Sequence, residues 1–157
     1  LAYIGDGNNI AHSLLLGCSI VGMDISIACP KGYEPEEEIV ELAQNKGLSS
    51  GSQVCITHDP IKAITGADIV YTDVWASMGQ EKEAQQRIKD FANYQINAKL
   101  FDLANDQAIF LHCLPAHRGE EVTEEVIDGA QSFIFDQAEN RLHAQKAVMV
   151  LLMGNNL

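Results

Sequence analysis

From His112 to Glu121 the chain reads HCLPAHRGEE, placing a thiol, two imidazoles, a guanidinium and two carboxylates directly after the apolar run Ala108 to Leu111. His112, Cys113 and His117 are zinc-type ligands. The usual fourth ligand of a closed tetrahedral site, a further Cys or His, has no obvious local source, so no metal is assigned. Cys113 falls where a strand gives way to a loop, shortly before Pro115, a setting in which a thiol can be more than a small core hydrophobe. His117, Arg118, Glu120 and Glu121 read as a charged turn and a helix start.

Three further groups carry chemistry. In DVWASMGQE, Asp73 to Glu81, a carboxylate, a hydroxyl and a glycine-flexed turn follow an apolar run. Asp73 and Ser77 can share an ammonium; alternatively Asp73 caps a turn and Ser77 or Met78 starts the next helix. Trp75 in so short a polar loop suggests a mobile lid. GDGNN, Gly5 to Asn9, begins like a dinucleotide fingerprint, but its third glycine position is Ile10. ISIACP also ends without the acidic residue that would hold a ribose, so no nucleotide cofactor is expected. One of Asn8 and Asn9 caps the following helix, leaving the other amide to meet an amino-acid head group. His12, one turn further on, reads as structural. In DQAENR, Arg141 has Gln137, Ala138, Ala144 and Gln145 at the helical neighbour positions, none of them a carboxylate. It is either solvated or free to reach an anionic or carbonyl ligand.

These groups need a scaffold. Six short apolar runs read as strands: LAYIG, ISIAC, QVCIT, ADIVYT, AIFLHC and SFIFD. Helix-period patterns lie between several of them, at Asn9 to Gly22, Glu36 to Gly47 and Gln80 to Ala92, with Gly22 and Gly47 placed as stops. EPEEE supplies an acidic first turn that complements the helix dipole. The alternation predicts a single α/β domain, a doubly wound, mainly parallel sheet with helices on both faces. Loops leaving the carboxyl ends of such strands gather along one edge, where ligands bind. GDGNN, DVWASMGQE, LPAHRGEE and a QAEN loop after the sixth strand should meet there.

A chain of 157 residues that is 46% apolar suits one domain with its own core. The formal charge of -12 argues against nucleic acid or an anionic membrane as partner and favours small cationic or zwitterionic ligands. No stretch approaches the roughly 18 apolar residues of a membrane span, and no signal peptide is legible. Cys18, Cys29, Cys55 and Cys113 form no C-x-x-C pair, which is reduced, cytoplasmic usage. Because LAYIG starts at once as a buried strand, an excised domain is expected.

Four segments, GDGNN, DVWASMGQE, HCLPAHRGEEV and AENR, occur in the order found in ornithine carbamoyltransferases, which the chain closely resembles from Leu1 almost to its end. The combination of SMG with HCLP is specific; GDGNN alone is weak. The resemblance implies that residues 1–157 are the ornithine-binding half of a two-domain subunit, as in arginine biosynthesis, with no cofactor. It implies Asn9, Asp73, Ser77 and Met78 on the amino acid, Cys113 and Leu114 near the reacting centre, and Arg141 on the carbamoyl group. Asp73 and Cys113 would carry the catalysis. It also implies carbamoyl phosphate as second substrate and a parent homotrimer or higher assembly. The S-T-R-T-R loop that grips phosphate in that family is absent here, so this chain alone should not turn over. Exposed apolar surface is expected on the final helix, at VMVLLM.

Overall fold

The computed structural model describes residues 1–76 and 83–154. Five parallel strands, β1 (Ala2–Ile4), β2 (Ile25–Ala28), β3 (Val54–Thr57), β4 (Ile69–Thr72) and β5 (Ile109–His112), form one sheet in the order β3-β2-β1-β4-β5. The doubly wound α/β class is as expected. The chain builds outward from β1 to β3, returns to lay β4 on the other side of β1, and ends at β5. The switch in winding direction therefore lies between β1 and β4, where their carboxyl ends open a crevice.

Side chains alternate across the sheet with the strand period of two. Ala2, Ile4 and Val70 face one core, which also contains Trp75, Phe91, Phe110 and Ile127; Tyr3, Ile25, Ile27 and Tyr71 face the other, against Ala11, Leu15 and Ala43. Helices α1 (Asn9–Val21) and α2 (Glu37–Ser50) cover the second face. The short helices α3 (Pro60–Ile64), α5 (Ala98–Phe101) and α6 (Glu124–Ile127) help cover the first. Each fully buried aliphatic side chain, such as Leu15 or Ile27, contributes roughly 1.5–3 kcal/mol.

Local signals explain most boundaries. Asn8 caps α1, its Oδ1 accepting from the Ile10 and Ala11 amides at 2.9 and 3.4 Å, and Gly22 ends it at φ 79°. Asp59 caps α3 with Pro60 following, and Glu37 and Glu38 occupy the first turn of α2. Gly47 does not stop α2, which runs on to Ser50 and ends at Gly51, φ 87°. The glycine at 47 is needed for packing instead: a Cβ there would lie 2.5 Å from the Ser52 carbonyl oxygen. Of the helix expected over Gln80 to Ala92, the described part is α4 (Ala84–Asp90).

The sixth strand is a correction. Ser132 makes a single parallel bridge to Phe110, and helix α7 (Ile134–Met153) begins two residues later, so Gln137 to Asn140 are helical rather than a loop. The run Phe133-Ile134-Phe135 buries Ile134 alone, and a three-residue apolar run does not distinguish a strand from a helix start. Toward its end α7 leaves Val148 to Met153 between 53% and 79% exposed, the apolar surface expected at VMVLLM. Among the described residues no helix is long and apolar enough to cross a membrane.

Candidate functional site

Asp73 stands immediately beyond β4, at the crevice beside β1, with 7% of its surface exposed. Its Oδ1 accepts from the Val74 amide at 2.8 Å and from the Cys113 thiol at 2.9 Å, and its Oδ2 accepts from Asn8 Nδ2 at 2.9 Å. An ionised carboxylate has about four acceptor positions, so one remains for an incoming donor. The three bonds draw together the loops after β1, β4 and β5. Asn8 is thus both cap and bridge: its oxygen holds α1 while its amide nitrogen holds Asp73. Asn9, the other amide, is exposed at the start of α1 and lines the cleft. Gly7 lets the turn pass here, because a Cβ would lie 2.3 Å from the Pro35 nitrogen.

The cleft encloses about 960 Å³ and is lined by Asn9, Tyr71, Asp73, Cys113, Leu114, His117, Gln137 and Arg141, among others. Five of the seven expected site residues therefore share one cavity: Asn9, Asp73, Cys113, Leu114 and Arg141. Ser77 and Met78 lie outside the described residues. Among the described residues Arg141 has no ion-pair partner, and its place on the cleft wall favours the ligand-facing alternative over a merely solvated one. His12 is structural as read, its Nε2 accepting from the Glu36 amide at 3.1 Å.

Burial, then the adjacent Asp73 carboxylate, push the Cys113 thiol up to about 12. The resting group is a neutral S–H donor. At about pH 8 a thiol with that pKa holds ~10³-fold less thiolate than an ordinary one, and thiolate is the alkylated species. Iodoacetamide labelling of Cys113, followed peptide by peptide, is expected to lag a free thiol by about that factor; labelling at the free-thiol rate would contradict this protonation state.

Two assemblies hold the loops in place. His112, 1% exposed, accepts the Leu114 amide on Nδ1 at 2.8 Å and turns Nε2 toward Glu121 Oε1 at 3.3 Å. The same Glu121 oxygen accepts from the His117 amide at 2.6 Å. Glu121, fully buried, is therefore a latch across the loop and not part of a solvated helix start; α6 begins only at Glu124. Within this loop Leu114 takes φ 58°, a left-handed conformation costing a branched residue roughly 1–2 kcal/mol, which the latch and packing must offset. His112 likewise serves the latch and is not among the residues that line the cleft. His112, Cys113 and His117 have separate partners and do not converge as metal ligands. Among the described residues His117, Glu120 and Glu121 bring ligand atoms within 4.8 Å of one another, but Glu121 is already committed to the loop.

The second assembly is Arg87 of α4. Its Nη1 reaches Asp6 Oδ2 at 2.7 Å and the Trp75 carbonyl at 2.9 Å, with the guanidinium 4.9 Å from the Tyr33 ring centroid. Trp75 is 4% exposed and stacks on Phe91, so this residue is held in the core; the part of the expected lid from Ser77 to Glu81 lies outside the described residues. Sequence reasoning missed Arg87: its partner near in the chain, Glu83 at 3.5 Å, is of the kind common on helix surfaces, and its buried partner, Asp6, is distant in sequence. It also missed Tyr71 and Gln137. A tyrosine ending an otherwise apolar strand run was the available signal for the first.

Residues 1–152 match the family described as "Aspartate/ornithine carbamoyltransferase, Asp/Orn binding domain". Similar proteins include the ornithine carbamoyltransferases of Synechococcus elongatus, 61% identical over 98% of this chain and 50% of that protein, and of Carboxydothermus hydrogenoformans, 56% identical over the same shares. Among solved structures, the Pyrococcus furiosus ornithine carbamoyltransferase superposes with a TM-score of 0.93 at 54% identity, covering 98% of this chain and 49% of that one. The chain thus spans about half the length of the relatives it matches. By sequence over nearly its whole length, and by fold, it belongs to the aspartate/ornithine carbamoyltransferase family.

Proposed function

We propose that this domain, residues 1–157, is the ornithine-binding half of an ornithine carbamoyltransferase, which moves the carbamoyl group of carbamoyl phosphate to the δ-amine of ornithine, giving citrulline and phosphate. The observation that carries the reading is the Asp73 carboxylate at the β1/β4 switch, held by three donors with one acceptor position left for an ammonium. Asp73 and Ser77 hold the α-amine, and Asn9 with the backbone at Met78 holds the α-carboxylate. Cys113 faces the δ-nitrogen, while Arg141 and the Leu114 carbonyl orient the carbamoyl group.

In the reaction the amine nitrogen bonds to the carbamoyl carbon, the carbon–oxygen bond to phosphate breaks, phosphate leaves with the electron pair, and the proton shed by the attacking nitrogen passes to the departing phosphate. An alkyl amine of pKa near 10.4 must first lose a proton, and lowering that pKa by about three units corresponds to roughly 4 kcal/mol. Burial against the sheet edge disfavours the ammonium, which is the direction required. A neutral Cys113 suits a polar contact to the amine and not a covalent nucleophile, since direct attack by the amine needs no acyl-enzyme. Arg141 then meets the charge developing on the carbamoyl oxygen.

Phosphate is the missing piece. Among the described residues the permanently charged cation lining the cleft is Arg141, and no S-T-R-T-R string occurs in the sequence. This favours a second, narrower reading for the chain by itself: a binding unit that turns over only when joined to a carbamoyl-phosphate domain in a cytoplasmic trimer or higher assembly. Between the amine substrates named by the family, a cleft that sets the Asp73 carboxylate beside the Cys113 thiol, with Arg141 assigned to the carbamoyl group, suits a diamino acid better than a dicarboxylate. Calorimetry with L-ornithine and L-aspartate, on this chain and on a full-length chimera carrying the other half of the Synechococcus protein, tests the assignment. Heat from ornithine alone, with citrulline formed only by the chimera, is expected; preference for aspartate, or an inactive chimera whose two halves are folded, would refute it.

A further inference from the structure

Gln137 and Tyr71 line the cleft beside Cys113 and have no part in the reaction as described so far. Gln137, in the first turn of α7, touches two groups: the His112 backbone amide at 3.1 Å and the Tyr71 hydroxyl at 2.7 Å. A backbone N–H only donates, so the Gln137 atom facing it is the oxygen and the Nε2 amide must donate to Tyr71. With its oxygen accepting, the Tyr71 hydroxyl has its own proton to give. Tyr71 is 7% exposed; it pairs with Leu111 across β4 and β5, two residues before Cys113, so Tyr71 and Cys113 share a face of the sheet, pack in one cluster and line the cleft side by side, with the Tyr71 proton within that cluster. Cys113 in turn donates to Asp73 Oδ1 at 2.9 Å, and a carboxylate only accepts. On the far side the direction is equally fixed: Asn8 Oδ1 accepts two backbone amides, so its nitrogen is what meets Asp73.

We propose that Gln137 and Tyr71 are positioning residues for Cys113, forming a one-way donor chain, Gln137 N–H to Tyr71 O–H to Cys113 S–H to the Asp73 carboxylate. Each link sets the next. The chain fixes the thiol rotamer, keeps the S–H proton pointed at the Asp73 carboxylate and leaves a sulfur lone pair facing the cleft. Resting on the ornithine reading, that lone pair is the acceptor for an N–H of the δ-amine, which turns the nitrogen lone pair toward the carbamoyl carbon. Donor chains of this kind polarise one another, so removing an early link weakens the last one.

The test reads the last link directly and needs no substrate. In the full chain, the infrared S–H stretching band of Cys113 is identified by its loss in Cys113→Ala. Tyr71→Phe is expected to move that band to higher frequency, toward an unbonded thiol. Gln137→Glu is the sharper probe: it keeps the size and the acceptor for the His112 amide but removes the donor, so Tyr71 turns its proton onto the new carboxylate and away from sulfur. It should move the band in the same direction, and it carries the test if Tyr71→Phe does not fold. An unmoved band in both variants overturns the chain, and a shift in Tyr71→Phe alone overturns the role of Gln137. A failure of the wild-type chain to bind ornithine would instead refute the substrate reading, leaving the band result unaffected.

Discussion

Asp73→Asn is expected to lower ornithine-dependent kcat/KM of the full-length chimera by ~10²–10³-fold, corresponding to about 3–4 kcal/mol of lost interaction with the bound substrate. The replacement has the same shape, so the loss is electrostatic. Asp73 Oδ1 serves two donors, the Val74 amide and the Cys113 thiol, and an asparagine will keep its oxygen there. Its NH2 group then replaces Oδ2, opposing the Asn8 amide that now donates at 2.9 Å and presenting a donor to an incoming ammonium. The fold should lose only about 1 kcal/mol, the net worth of one hydrogen bond. Steady-state kinetics against ornithine, with a thermal melt as control, checks both halves of the statement. Ornithine saturation unchanged in a folded variant would remove Asp73 from the substrate site.

The largest effect on stability is expected at Arg87. Its side chain and that of Asp6 are 8% and 10% exposed, and Arg87→Met strips a buried carboxylate of its counter-ion and the Trp75 carbonyl of its donor. Breaking one side of such a pair costs about 3–5 kcal/mol. Urea unfolding of the variant should read that loss, and adding Asp6→Asn should recover much of it, since the two changes share one interaction. The pH dependence has a definite sign. Burial already raises the Asp6 carboxyl despite the opposing Arg87 charge, and losing Arg87 raises it further. A carboxyl whose folded pKa exceeds its unfolded value contributes stability below the unfolded pKa and loses it as pH rises through the folded one. The Arg87→Met deficit should therefore shrink on acidification toward the carboxylate range. A deficit of equal size at neutral and acid pH would mean that Arg87 acts through packing alone.

Much of this molecule was legible before its coordinates. The cap at Asn8 or Asn9 and the stop at Gly22 depend on near neighbours in the chain, and the strand runs from β1 to β5 depend on local apolar patterning, so both survive in a linear reading. The convergence of Asn9, Asp73, Cys113 and Leu114 followed from the rule for parallel sheets without the strand order, whereas Arg141 reaches the same cleft from α7 and not from a loop after a sixth strand. What escaped were pairs whose partners are far apart in sequence. Asp6 and Arg87 are 81 residues apart, Gln137 and Tyr71 are 66 apart, and nothing local marks either member as paired. Glu121 misled because a carboxylate ahead of a helix is usually solvated, and only the buried His112 imidazole gives it another use.

The strand order β3-β2-β1-β4-β5 has a mechanical consequence. Residues up to Thr57 complete β1, β2 and β3 with their covering helices, and the later strands add to that block along the single β1/β4 edge. The cleft straddles this seam, with Asn9 on one side and Asp73, Cys113 and Arg141 on the other. A ligand gripped from both sides is a staple across the seam, and parting the two blocks would require its release. Occupancy would then slow hydrogen exchange along the β1/β4 edge, in residues that never touch the ligand.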